Sequence, residues 1–137
     1  MGNFKELRVW QDSIVLAEEI YKITRSSPTF SKDYGLSNQI QRAAVSVASN
    51  IAEGDERGTN REAVHFFNIS KGSSAEVITQ LYIAHRIGYI DEETLIKLEN
   101  QCEKTRASLK KLIQARGGGN PLNLLFWLLI SLFIGGR

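Results

Sequence analysis

The stretch Gln39–Gly54 constrains the fold more than any other part of this chain. Ile40, Ala44, Val47 and Ile51 recur at steps of three or four, the spacing that puts side chains on one face of an α-helix. Arg42, Ser46, Ser49 and Glu53 follow the same period on a second face. Ala43, Ala44, Ser46, Ala48, Ser49 and Ala52 are all small, so a neighbouring backbone can come close. The run therefore predicts a helix in the middle of a bundle.

Three further segments carry the same helical period. In Phe4 to Thr24, a seam of Leu7, Trp10, Ile14, Ala17, Tyr21 and Thr24 is expected to face the core, with Val9, Leu16, Ile20 and Ile23 as a second stripe beside it. Pro28 ends this helix, and Phe30 and Tyr34 are the expected anchors of the connector that follows. The second helix is expected from Leu36 or Ser37 to Glu53, with Gly54 as its C-terminal cap. Thr59 and Glu62 form a capping box for a third helix reaching about Ile87, with Ala63, Phe67, Ser70, Ser74, Val77, Leu81 and Ala84 as its seam. Gly72 lies in its small-residue middle, Ser70–Ala75, where glycine costs about 1 kcal/mol relative to alanine. Close approach of the second helix is the expected reason. Asp91 caps a fourth helix to about Arg116, with Leu95, Leu98, Cys102, Thr105, Leu109 and Leu112 as its seam. Four helices with short connections predict an all-α, up-down-up-down antiparallel four-helix bundle.

The expected organisation is a bundle over residues 1–116, a Gly-rich linker over 117–121 and an apolar tail over 122–137. Between Leu122 and Ile134 only Asn123 and Ser131 are polar. Such a segment must be buried in protein or lipid. As a helix it would be about 20 Å long, short of a hydrocarbon core of about 30 Å. Packing of Leu124, Phe126, Trp127, Leu128, Ile130 and Phe133 into a groove on the bundle or on another subunit is therefore expected. Membrane contact is the alternative.

Nothing in the sequence carries chemistry. The net charge is +2 and Cys102 is the one cysteine, so no intrachain disulfide can form. No apolar leader opens the chain, and a cytoplasmic location is expected. His65 and His85 are twenty positions apart and would face opposite ways on a helix. Cys102 falls in a core seam. Gly54–Thr59 lacks the lysine and the preceding strand of a phosphate loop. Arg42, Asn50, Glu53, Glu76 and Gln80 are expected to form a hydrogen-bonded polar layer inside the bundle that fixes helix register. An enzyme using Arg42, Glu53 and Glu76 is the less favoured reading, and neither a metal nor a cofactor is expected. Lys97, Lys104 and Lys111 recur every seven residues, and with Arg106, Lys110 and Arg116 they give the fourth helix a basic surface. Arg57 and Arg61 add cations at the turn between the second and third helices. These eight residues are the candidate nucleic-acid contacts.

Several ordered motifs carry a resemblance. They are Phe4–Trp10, Ser37–Gly54, Glu62 with Phe66–Ser73, and Glu76 with Gln80-Leu81 to Gly88-Tyr89-Ile90. Together they resemble the bacterial four-helix bundle proteins related to the 23S rRNA intervening-sequence protein, over roughly Phe4–Arg116. The accessory protein of diversity-generating retroelements is a relative of that family. The resemblance implies a ring-shaped homopentamer with a non-enzymatic role, and an RNA, DNA or reverse-transcriptase-like protein partner. The chain departs from the pattern at Ala48, where many members carry proline, and in the apolar tail.

Overall fold

The computed structural model describes residues 2–117 together with Leu129, Leu132 and Phe133. A 3-10 turn over Phe4–Glu6 leads into helix α1, Arg8–Ser26. Helix α2 is Tyr34–Glu56, α3 is Asn60–Arg86 and α4 is Glu92–Ala115. No strand occurs among the described residues, and the protein is all-α. Each helix packs on the next, and α4 returns to α1. Side-chain pairs fix the directions. Across α2 and α3 the Ser46 and Ser73 hydroxyls are 2.8 Å apart, and Ser70 Oγ donates to the Val47 carbonyl at 2.7 Å. Across α1 and α4, Glu19 meets Lys97 and Asp12 meets Lys104. Both pairs of helices are thus antiparallel. The start of α1, the end of α2, the start of α3 and the end of α4 share one end of the bundle, called here the basal end.

Capping explains the helix starts. Asp33 accepts the Leu36 N–H at 3.0 Å and the Tyr89 hydroxyl at 2.8 Å, so α2 begins at Tyr34, ahead of the expected start. Thr59 accepts the Glu62 N–H at 3.2 Å, and Asp91 accepts the Thr94 N–H at 2.8 Å, as the sequence predicts. Gly88 follows α3 with φ +86°, a left-handed conformation suited to glycine.

The core follows the predicted seams in three helices. Ile40, Ala44, Val47 and Ile51 of α2 are fully buried, as are Ala63, Phe67, Ser70, Ser74, Val77, Leu81 and Ala84 of α3. Leu95, Leu98, Cys102, Thr105 and Leu109 of α4 are buried with them, while Leu112 is half-buried. In α1 the seam holds only at Thr24, and the neighbouring stripe, all but the half-buried Ile23, takes the core. Val9, Ser13, Leu16, Ile20 and Thr24 are buried, whereas Trp10, Ile14, Ala17 and Tyr21 are half-buried. Ser13 interrupts the true core stripe in the sequence, yet its hydroxyl is satisfied by donating to the Trp10 carbonyl at 2.6 Å. In the first connector Phe30 is fully buried, but Tyr34 is exposed and anchors nothing.

Neither of two glycines has the role the sequence predicts for it. Gly54 does not cap α2; it lies inside the helix and is buried. A Cβ on Gly54 would fall 2.5 Å from Phe67 Cε1 and 3.0 Å from the Ala63 carbonyl oxygen, so glycine is required for α3 to pack here. Gly72 is exposed, and a Cβ there would meet nothing within 4 Å. The close α2–α3 crossing is made by Gly54, Ser46, Ser70 and Ser73, without Gly72.

Leu129, Leu132 and Phe133 are helical and exposed, Phe133 at 93%. The other expected tail contacts, Leu124, Phe126, Trp127, Leu128 and Ile130, lie outside the described residues. Among the described residues no helix is long and apolar enough to cross a membrane.

Candidate nucleic-acid interface

Most of the predicted basic stripe on α4 is engaged within the molecule. Lys97 lies 3.5 Å from Glu19, and Lys104 lies 3.7 Å from Asp12. Arg106 donates to the Lys71 carbonyl at 2.8 Å and lies 3.8 Å from Glu103. Arg116 reaches the buried Asp55 carboxylate and the Asn60 side-chain oxygen, each at 3.3 Å, and ties the end of α4 to the α2–α3 turn. Exposed pairs of this kind add about 0–1 kcal/mol to stability, but they neutralise charge. A sequence signal for them exists. Asp12 and Glu19 are seven residues apart on α1, as are Lys97 and Lys104 on α4, so antiparallel packing sets them opposite one another.

One heptad further towards the basal end the matching ceases. The heptad pattern of α4 continues to Lys111, but α1 begins only at Arg8, so no α1 carboxylate stands one heptad beyond Asp12. Lys110, Lys111 and Arg61 are exposed and form no ion pair with any described residue, and the same is true of Lys5 and Arg8. Arg8 is absent from the expected contact set, and the antiparallel fold sets the start of α1 at the same end as Lys110 and Lys111; Lys5 sits in the 3-10 turn, which packs on α1 and α2.

Beside these cations, Arg57, Thr59, Arg61, Glu62, His65 and Phe66 line a cleft of about 600 Å³ at the start of α3. The Arg57 guanidinium lies 4.4 Å from the Phe66 ring centroid and 3.0 Å from Glu53. The His65 ring packs on the edge of Phe66, with centroids 5.4 Å apart. The cleft thus supplies an aromatic platform among cations, which helical periodicity does not reveal.

The internal polar layer is corrected. Arg42, Glu53 and Glu76 are exposed, and Glu53 turns to Arg57. Long charged side chains reach water from this flank more cheaply than they can be paired inside. Asn50 donates to the Ser46 carbonyl and to Ser46 Oγ, both at 2.9 Å, and Ser46 bonds Ser73. The α2–α3 contact is therefore held by Asn50 and serines. Gln80 is buried but brings no charge with it. Arg42, Glu76 and Gln80 do come together, along an open cleft on the outer α2–α3 face. Cys102 is fully buried, and loss of solvation pushes its thiol up to about 12, so it remains a neutral core group.

The model of the 23S rRNA-intervening sequence protein family matches residues 5–111 of this chain. The chain belongs to that family. The match spans all four helices to within a few residues of the end of α4. A solved structure, a protein of unknown function from the S23 ribosomal protein family of Bacteroides thetaiotaomicron, superposes with a TM-score of 0.72 at 23% identity. The superposition covers 77% of this chain and 97% of that one, and at this identity it establishes the shared fold. No curated protein matches the chain.

Proposed function

We propose that the protein is a cytoplasmic, non-catalytic, homo-oligomeric scaffold that binds RNA or DNA through its basal end. The observation that supports this reading is the break in charge matching along α1 and α4. Towards the distal end each lysine of the stripe has a carboxylate opposite, while Lys110 and Lys111 have none among the described residues. Arg57, Arg61 and Phe66 extend that end with charge and a ring on which a base can stack. Within one copy the excess is small. Lys5, Arg8, Arg57, Arg61, Lys110, Lys111 and Arg116 are seven cations against the five carboxylates Glu6, Glu53, Asp55, Glu56 and Glu62. A ring of copies, five by the family resemblance, multiplies the excess, and phosphate binding scales with the number of charges neutralised.

Fluorescence anisotropy with labelled single-stranded and duplex RNA and DNA tests the reading. The wild-type chain is expected to bind, and the triple variant Arg61→Glu, Lys110→Glu, Lys111→Glu to lose at least about tenfold in affinity with unchanged helical circular dichroism. A wild-type chain that binds none of these polymers, or a triple variant that binds as well, overturns it.

The exposed side chains of Leu129, Leu132 and Phe133 support a second reading, a membrane-associated or protein-binding assembly that uses the tail. Recovery with membranes that is lost on truncation after Gly117 supports it. Full-length protein in the detergent-free supernatant, unchanged by the truncation, removes it.

A further inference from the structure

The cleft at the start of α3 offers more than positive charge. Its volume of about 600 Å³ falls within the usual range of ligand clefts. Two of its lining pairs, Arg61 with His65 and Glu62 with Phe66, stand four residues apart on α3, so the members of each pair are neighbours on the helix surface. Arg57 and Thr59 close the cleft from the preceding turn. A ring, a carboxylate and two guanidinium groups therefore meet in one place.

The carboxylate is the informative member. A capping box would turn Glu62 back to the Thr59 N–H, yet only the forward bond forms, from the Glu62 N–H to Thr59 Oγ1 at 3.2 Å. The Glu62 side chain is exposed and makes no hydrogen bond or ion pair with any described residue. A free carboxylate repels phosphate, so the middle of the cleft does not suit the backbone of a nucleic acid. It accepts N–H donors and has two oxygens for them. The phosphates are left to Arg61, Lys110 and Lys111, the exposed cations without an ion pair at the same end.

The ring decides what carries those donors. The Arg57 guanidinium lies 4.4 Å from the Phe66 centroid, and Arg57 is otherwise held by Glu53 in an exposed pair of little strength. Stacking of a base on an aromatic ring exceeds an exposed cation–π contact, and a guanidinium plane can itself stack on a base. A base can thus take the face of Phe66 or add to the Arg57 plane, with Glu62 one helical turn away at its edge. Among the common nucleobases guanine alone carries two adjacent N–H donors, at N1 and N2, that one carboxylate can accept together. Adenine and cytosine set a single amino group beside a ring nitrogen that repels a carboxylate, and uracil sets its N–H between two carbonyls. In a duplex the guanine donors are taken by cytosine and its faces by neighbouring bases, so only an unpaired guanine fits.

We infer that the cleft between Arg57 and Phe66 holds an unpaired guanine of a single-stranded nucleic acid, stacked at Phe66 and Arg57, with its N1–H and N2–H donated to the Glu62 carboxylate. The inference rests on the nucleic-acid binding proposed for the basal end and names the base and the strand state which that end selects.

Fluorescence anisotropy with labelled strands tests it on the full chain. One strand carries isolated guanines in an adenine background. Matched strands carry inosine, which lacks the N2 amino group, or adenine at those positions, and a duplex of the guanine strand completes the set. The wild-type chain is expected to bind the guanine strand at least about fivefold more tightly than the adenine strand, the lower end for one bidentate contact, with inosine between them. Glu62→Gln retains a capping-box residue and is expected to lose that preference. Phe66→Leu keeps an apolar side chain and is expected to weaken the guanine strand by more than it weakens the duplex. Glu62 is exposed, so its variant is expected to keep the wild-type helical circular dichroism whatever happens at the half-buried Phe66. Equal wild-type affinity for the guanine and adenine strands overturns the inference and leaves the nucleic-acid reading standing. So does a guanine preference that persists in full in Glu62→Gln, or a folded Phe66→Leu that loses duplex and single-strand affinity alike. A wild-type chain that binds none of the strands overturns both the inference and that reading.

Discussion

Gly54 is where a single missing methyl group decides how two helices meet. An alanine there gains helix propensity, yet its Cβ would fall 2.5 Å from the Phe67 ring and 3.0 Å from a backbone oxygen. Phe67 is itself fully buried and has little room to move. Gly54→Ala is expected to destabilise the bundle by about 1–3 kcal/mol, the range for overpacked cores, read as a lower urea midpoint at unchanged slope. Cys102 gives a second expectation. Its thiol stays protonated in the folded chain up to about pH 12, while in the unfolded chain it ionises near its ordinary value of 9.0. The folded state then holds one more proton than the unfolded state, so stability falls as pH rises between those values. Cys102→Ala is expected to lose less stability than wild type over that window in parallel urea titrations. That Cys102 belongs to the core is legible from its place in the α4 seam. The roles of Gly54 and Gly72 are not, because a glycine's purpose depends on what stands opposite it, and sequence period shows only its own face.

At the scale of the helices, the seams of α2, α3 and α4 are legible because one apolar stripe dominates each. In α1 two stripes compete, and the one containing Trp10, Ile14 and Tyr21 looks stronger than the one broken by Ser13. Burial favours the latter because a hydroxyl bonded to its own helix is tolerated inside. The polar layer is misplaced for a related reason. The helical period puts Arg42 and Glu76 on flanks of their helices, but whether a flank turns inward depends on register between helices. The connectors carry part of that register. Asp33 caps α2 and also accepts from Tyr89, which follows α3. The Leu36 N–H, and after it the Tyr89 hydroxyl, hold its carboxyl below the usual carboxylate range. A carboxyl lowered on folding stabilises the folded chain above its unfolded pKa, and the contribution disappears as pH falls through the lowered value. Asp33→Asn is therefore expected to be less stable than wild type at neutral pH. The gap should narrow below about pH 4, as followed by thermal melts across the acid range.

For the whole molecule, the bundle sorts its charges by position. Along its length, lysines on α4 are matched by carboxylates on α1; at the basal end the matching stops and an aromatic cleft begins. The candidate site was half legible for that reason. Lys110, Lys111, Arg57 and Arg61 stand out in the sequence, whereas the neutralisation of Lys97 and Lys104 and the place of Arg8 at the same end follow only from antiparallel packing. If copies assemble, the basal ends act together, and the assembly neutralises more phosphates than one chain can. The salt dependence of RNA and DNA affinity measures this directly, because the slope of log affinity against log salt counts the phosphates neutralised, at about 0.9 per contact on duplex DNA and about 0.7 on single strands. The account predicts a slope magnitude above about 6 on duplex DNA for the wild-type assembly, more than the seven basal cations of a single copy can supply, and a much shallower slope for Arg61→Glu, Lys110→Glu, Lys111→Glu. A wild-type affinity that is unchanged across the salt series would contradict it.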